Sequence, residues 1–117
     1  LSRRVKNKKV ANKMLASKIL RTVNSHEGFW FNRAPGELTG KNALSLTDFA
    51  EKLKVVDVQS INFHFSRGDF RRWIQLIIRD TELSIRVNRI PQNVRGEKLR
   101  SNLIRVVNER IIELKKK

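Results

Sequence analysis

The chain is 117 residues long, carries 26 Lys+Arg against 11 Asp+Glu for a formal net charge of +15, and contains no cysteine. That length supports one compact domain with at most a tail, and the missing cysteines exclude a disulfide framework, thiol chemistry and Cys-ligated zinc. No apolar run approaches the roughly 18 residues a bilayer span needs, and the basic start lacks the apolar stretch of a secretory leader, so a cytoplasmic protein without a membrane partner is expected.

A positive excess this large is self-repulsive unless a polyanion compensates it. Nucleic acid is the usual polyanion for an intracellular chain, with an anionic membrane surface second. Dense charge, no Cys and a single Met also suit a thermophile. The excess is uneven. Residues 1–25 hold Arg3, Arg4, Lys6, Lys8, Lys9, Lys13, Lys18 and Arg21 with no acid among them. The division this suggests is a basic N-terminal arm and helix over 1–25, followed by a single compact helical domain over 26–117.

In chain order, residues 1–9 read as a polar, basic segment without structure of its own. From Val10 to about Asn24 a helical period gathers Ala11, Leu15, Ala16, Ile19 and Val23 on one side. Lys13, Lys18 and Arg21 fall on the other side or its edge. Such lysines usually make an ordinary solvated face, but that face would mix in Glu for i,i+4 pairing. Here the acids are missing, and a stripe for phosphates is expected.

After His26-Glu27-Gly28, the run Phe29-Trp30-Phe31 favours a short strand with Phe29 and Phe31 on one face and Trp30 on the other. Trp30 is then either a core residue of the second face, the more ordinary outcome, or a platform for an exposed base. "APGELTGKN" reads as a loop punctuated by Pro35, Gly36 and Gly40. Its glycines do not have the phosphate-loop spacing, which argues against nucleotide hydrolysis.

"SLTDFAEKLKVV" is a strong helix, with Ser45 as N-cap, Asp48 in capping-box position, and Leu46, Phe49, Ala50 and Leu53 as its apolar stripe. "SINFHFSRG" carries two competing periods. Ile61, Phe63 and Phe65 alternate as in a strand, yet Ser60 as cap and Gly68 as terminator frame a short helix. "DFRRWIQLII" is helical, with Asp69 as N-cap, Phe70, Trp73, Ile74, Ile77 and Ile78 apolar, and Arg71, Arg72 and Arg79 on the flank and outer side. Asp80 caps a further helix that stops at Pro91, and a last helix runs from about Glu97 to the end. Its closing Lys115-Lys116-Lys117 suits the helix dipole as well as an anionic partner.

The ordered motifs "FWF", "TGKNALSLTDFAEKL", "SINFHFSRGDFRRWI" and "DTELS" resemble those of a domain family of unknown function found mainly in archaea. The likeness covers about Phe29 to Ile90. It implies a mostly helical module and favours the helix over Ile61–Phe65. Similar helical segments look like architectural modules attached to phosphate-handling enzymes. Ser84 stands where that pattern has Ala, and the two arginines after Asp69 and the N-terminal arm are departures from it.

The expected fold is therefore mainly α, a small helical domain with a short β element near residues 28–33 and a basic N-terminal arm. His64 and Asp69 are close enough for acid–base chemistry, but no nucleophile motif accompanies them. Helix capping by Asp69 and packing or backbone bonding by His64 account for both. Two histidines without a carboxylate pair at ligand spacing give no metal site, and no cofactor motif is present. The Arg67-Gly68-Asp69 triplet reads as a helix stop and a helix start.

The expected function is non-enzymatic binding of nucleic acid through phosphates, by Arg3, Arg4, Lys6, Lys8, Lys9, Lys13, Lys18, Arg21, Trp30, Arg71, Arg72 and Arg79. Ribosomal RNA is favoured, beside neighbouring ribosomal proteins, and DNA comes second. A non-catalytic module regulating an enzyme is the remaining alternative.

Overall fold

The structure, a computed structural model, describes the backbone of residues 2–117 and the side chains of residues 11–117, so that the side chains of Arg3, Arg4, Lys6, Lys8 and Lys9 of the expected arm lie outside the described residues. Six helices surround a two-stranded hairpin: α1 (Ser2–Ile19), β1 (Phe29–Ala34), β2 (Glu37–Ala43), α2 (Leu46–Leu53), α3 (Val58–Arg67), α4 (Asp69–Trp73), α5 (Thr81–Asn88) and α6 (Gly96–Lys115). The fold is thus mainly α with a small β element, as expected.

The β element is larger than the aromatic run alone implies. The segment read as a loop supplies β2, antiparallel to β1 with Phe29 opposite Ala43 and Trp30 opposite Asn42. Pro35-Gly36 is the whole connection, and Gly36 has φ 77°, a left-handed value that glycine adopts without steric cost. Gly40, at φ 78°, lies in the bulge between the Trp30–Asn42 and Asn32–Leu38 pairs. There the Thr39 hydroxyl donates to the Phe31 carbonyl at 2.7 Å. Because β2 is polar along most of its length, no alternation betrayed it.

Helix α2 follows its sequence closely. Ser45 Oγ accepts from the Asp48 N–H at 3.0 Å, and the Asp48 carboxylate accepts from the Leu44 N–H at 3.0 Å. Leu46, Phe49, Ala50 and Leu53 are all buried. The Ile61–Phe65 segment is helical, within α3. Its cap is Asp57, which accepts from Gln59 N–H at 2.8 Å, whereas Ser60 is fully buried. Gly68 ends α3 in the left-handed conformation at φ 74°.

Two helix boundaries depart from expectation. α1 stops at Ile19 rather than near Asn24, and the Val23 N–H instead donates to the Leu44 carbonyl at 2.7 Å. Ala16, Ile19 and Val23 of its expected stripe are buried, but Ala11 and Leu15 are exposed. The helix expected over 69–78 keeps α geometry only to Trp73, then widens into a π-helical turn over Ile74–Ile78. That turn closes with Arg79 at φ 68° and with the Asp80 N–H donating to the Ile74 carbonyl at 3.0 Å. Both Ile74 and Ile78 are fully buried by it.

The core joins the hairpin to α2, α4 and α6. Phe29 packs edge-on against Phe31 (4.8 Å between centroids), Phe49 and Trp73, and Leu99, Leu103 and Val107 of α6 are fully buried in the same cluster. Each such side chain contributes about 1.5–3 kcal/mol through apolar burial. Trp73 is core as expected, and its indole N–H donates to the Glu27 carbonyl at 2.8 Å.

A polar network pins α5 to α6. Asp80 caps α5 through the Leu83 N–H and receives Arg110 Nε at 2.8 Å and Nη2 at 3.1 Å. Arg110 reaches Glu113, which is held bidentately by Arg86 at 2.6 and 2.9 Å. The Arg86 guanidinium, helped by Arg110, holds the Glu113 carboxyl at about 2, below the usual carboxylate range.

Candidate nucleic-acid interface

The acids are largely consumed by ion pairs, most of them at the surface. Every one except Glu27 and Glu37 is ion-paired with a described cation. Residues 1–10 contain five cations and no acid, and the rest of the positive excess is located among the described residues.

Lys13 and Lys18, the first expected phosphate ligands whose side chains are described, are exposed on α1 and make no ion pair among the described residues. Lys13 sits beside the end of α6. A groove of about 450 Å³ between the two helices is lined by Lys13, Ala16, Ser17 and Leu20 of the α1 side and by Leu114, Lys115 and Lys117. A neighbouring recess joins Lys13 to Lys116 and Lys117. Thus the closing lysine run, separated from Lys13 by a hundred residues of chain, shares with it recesses that no Asp or Glu side chain lines. Sequence reasoning left these three lysines out because the helix dipole already accounted for them.

Lys18 lies on another side of α1, in an open cleft of about 420 Å³ shared with Leu15, Ile19, Arg21, Ile78 and Arg79. Arg79 is exposed there and carries no ion pair. The structure therefore brings two of the expected ligands, Lys18 and Arg79, together from elements distant in sequence.

Arg21 has a different task. Its Nη2 donates to the Ile77 carbonyl at 2.6 Å, and its Nη1 donates to Lys18 at 2.7 Å and Ile78 at 3.3 Å. It satisfies carbonyls at the ends of α1 and the π turn, and only the rest of the guanidinium borders the cleft. Arg72 is likewise engaged, donating to the Asp69 carboxylate at 2.7 Å and the Arg67 carbonyl at 2.8 Å. Arg71 is exposed without an ion pair, but on α4, lining none of the α1 clefts. Trp30 is 47% exposed, so it is not a core residue; its N–H is tied to the Ser25 carbonyl at 3.2 Å.

The His64–Asp69 pair is internal. His64 Nδ1–H donates to Asp69 Oδ2 at 2.8 Å, while Nε2 accepts from the Asn32 N–H at 2.8 Å. Accepting at Nε2 requires neutral imidazole. Burial pushes the His64 pKa below its ordinary value, outweighing the opposing pull of Asp69. Both ring nitrogens are thus committed. Asp69 is a partner of His64 and Arg72 rather than the expected cap, a place taken by the Gly68 backbone. Among the described residues no group of three or more His, Asp or Glu could hold a metal ion, and no helix is long and apolar enough to cross a membrane.

No protein-family model, curated protein or solved structure matches this chain.

Proposed function

We propose that the protein binds nucleic acid through phosphate contacts, as a structural RNA-binding component of a large ribonucleoprotein such as the archaeal ribosome, in the cytoplasm. The observation that carries this reading is the meeting of Lys13 with Lys115, Lys116 and Lys117 in recesses that no Asp or Glu side chain lines. Like charges gathered from the two ends of the chain repel one another and cost stability in isolation. A polyanion turns that cost into affinity through counterion release. The second cationic cleft, at Lys18 and Arg79, extends the surface around α1. RNA is favoured over DNA because folded RNA offers closely spaced phosphates from several strands to a small basic domain.

The test is sedimentation of native extract at moderate salt. The protein is expected to travel with ribosomal particles and to move to the top of the gradient after ribonuclease treatment. Migration as free protein without ribonuclease contradicts the ribonucleoprotein assignment, and recovery with chromosomal DNA supports the DNA alternative.

A further inference from the structure

We infer that α1 is a ridge that seats in the shallow groove of double-helical RNA, with a phosphate backbone on each flank. The inference deepens the nucleic-acid reading above and rests on it. Its basis is the arrangement of the two clefts around one helix. At 3.6 residues per turn, Lys13 and Lys18 are displaced by about 140° around the axis. Ala16 and Ile19 face the core and are buried, so the two lysines leave the body on different sides.

On one flank Lys13 meets Lys115 at the end of α6 and Lys117 just beyond it. On the other Lys18 meets Arg79 at the end of the π turn. Between them the crest carries Met14, 56% exposed, and exposed Ser17 stands on its Lys13 side, at the edge of the α6 groove that it also lines. No acid lines either cleft. An α-helix with its side chains is about 10–12 Å across, so the two cationic troughs are separated by roughly that width. A single strand offers one phosphate rail and can fill only one trough. A duplex offers two rails with open space between.

The duplex form follows from the shape of the ridge. The deep, narrow major groove of A-form RNA does not admit a helix, whereas its wide, shallow minor groove presents 2′-hydroxyls between two backbones. Ser17 beside the crest can exchange hydrogen bonds with such hydroxyls. Met14 is flexible and adapts to a sugar edge.

The experiment measures fluorescence anisotropy of the full chain with an RNA duplex, each of its single strands, and the DNA duplex of the same sequence. The RNA duplex is expected to bind at least about tenfold more tightly than either strand. Two variants separate the rails: Lys18→Gln with Arg79→Gly, where glycine tolerates the positive φ, and Lys13→Gln with Lys115→Gln and Lys117→Gln. Each is expected to reduce the salt dependence of duplex binding by about one unit of slope per cation removed. Because the chain has no cysteine, Ser17→Cys accepts a single iron chelate, which is expected to cleave both strands across one minor groove. Equal affinity for single strands, tighter binding to the DNA duplex, or cleavage of one strand alone would overturn the ridge while leaving nucleic-acid binding in place. Failure to bind any of the four probes would remove both.

Discussion

His64 links β1, α3 and α4 through a single neutral ring, and that makes it sensitive to acid. Its folded pKa lies below the unfolded value of about 6.5 because burial disfavours the imidazolium. Below about pH 6.5 the unfolded chain takes up a proton that the native ring resists, so stability is full above that pH and falls as pH is lowered toward the folded value. Denaturant unfolding at stepped pH is expected to show this decline for the native chain, together with a shallower one for His64→Gln. Parallel profiles would contradict the assignment. At neutral pH the same variant loses about 1–3 kcal/mol, since it disturbs two buried hydrogen bonds. From sequence, His64 was legible as a packing or backbone-bonding residue. Its partner Asn32 was not, because it lies 32 positions away in the sequence, across the hairpin turn and α2. Arg21 and Arg72 show the same limit: a basic side chain on a helix edge reads as a phosphate ligand until the carbonyl or carboxylate that it reaches is placed.

Among the elements, those whose stop and start signals are local were legible. The capping box of α2, the Gly68 terminus of α3 and the Asp80 cap of α5 each depend on residues within four positions. β2 was hidden because a polar strand has no hydrophobic period, and the π turn because its apolar residues still fit a helical spacing. The α5–α6 junction makes the strongest energetic claim at this scale. Asp80 and Arg110 are both buried, and removal of either leaves the other as an unpaired charge away from water. Asp80→Ala is expected to cost about 3–5 kcal/mol, with a further loss of about 1 kcal/mol from the missing cap. Urea unfolding measures it. A loss below about 1 kcal/mol would mean that water reaches the pair freely.

At the scale of the whole molecule, a charge of +15 is spread so that most carboxylates are spent on ion pairs and much of the remaining positive charge gathers around α1 and the end of α6. The acid-free first 25 residues were legible as the strongest functional signal. What the fold adds is convergence, which no linear pattern contains: Lys13 meets the terminal lysines, and Lys18 meets Arg79. The central claim is that this surface grips phosphates, and the affinity of the full chain for a structured RNA across a range of KCl concentrations tests it most directly. The native chain is expected to show a steep linear fall of log affinity with log salt. The variant Lys13→Gln, Lys115→Gln, Lys116→Gln, Lys117→Gln, with its helical circular dichroism unchanged, is expected to bind more weakly, with the slope reduced by about four units. An affinity indifferent to salt, or a variant that binds as the native chain does, would contradict the account.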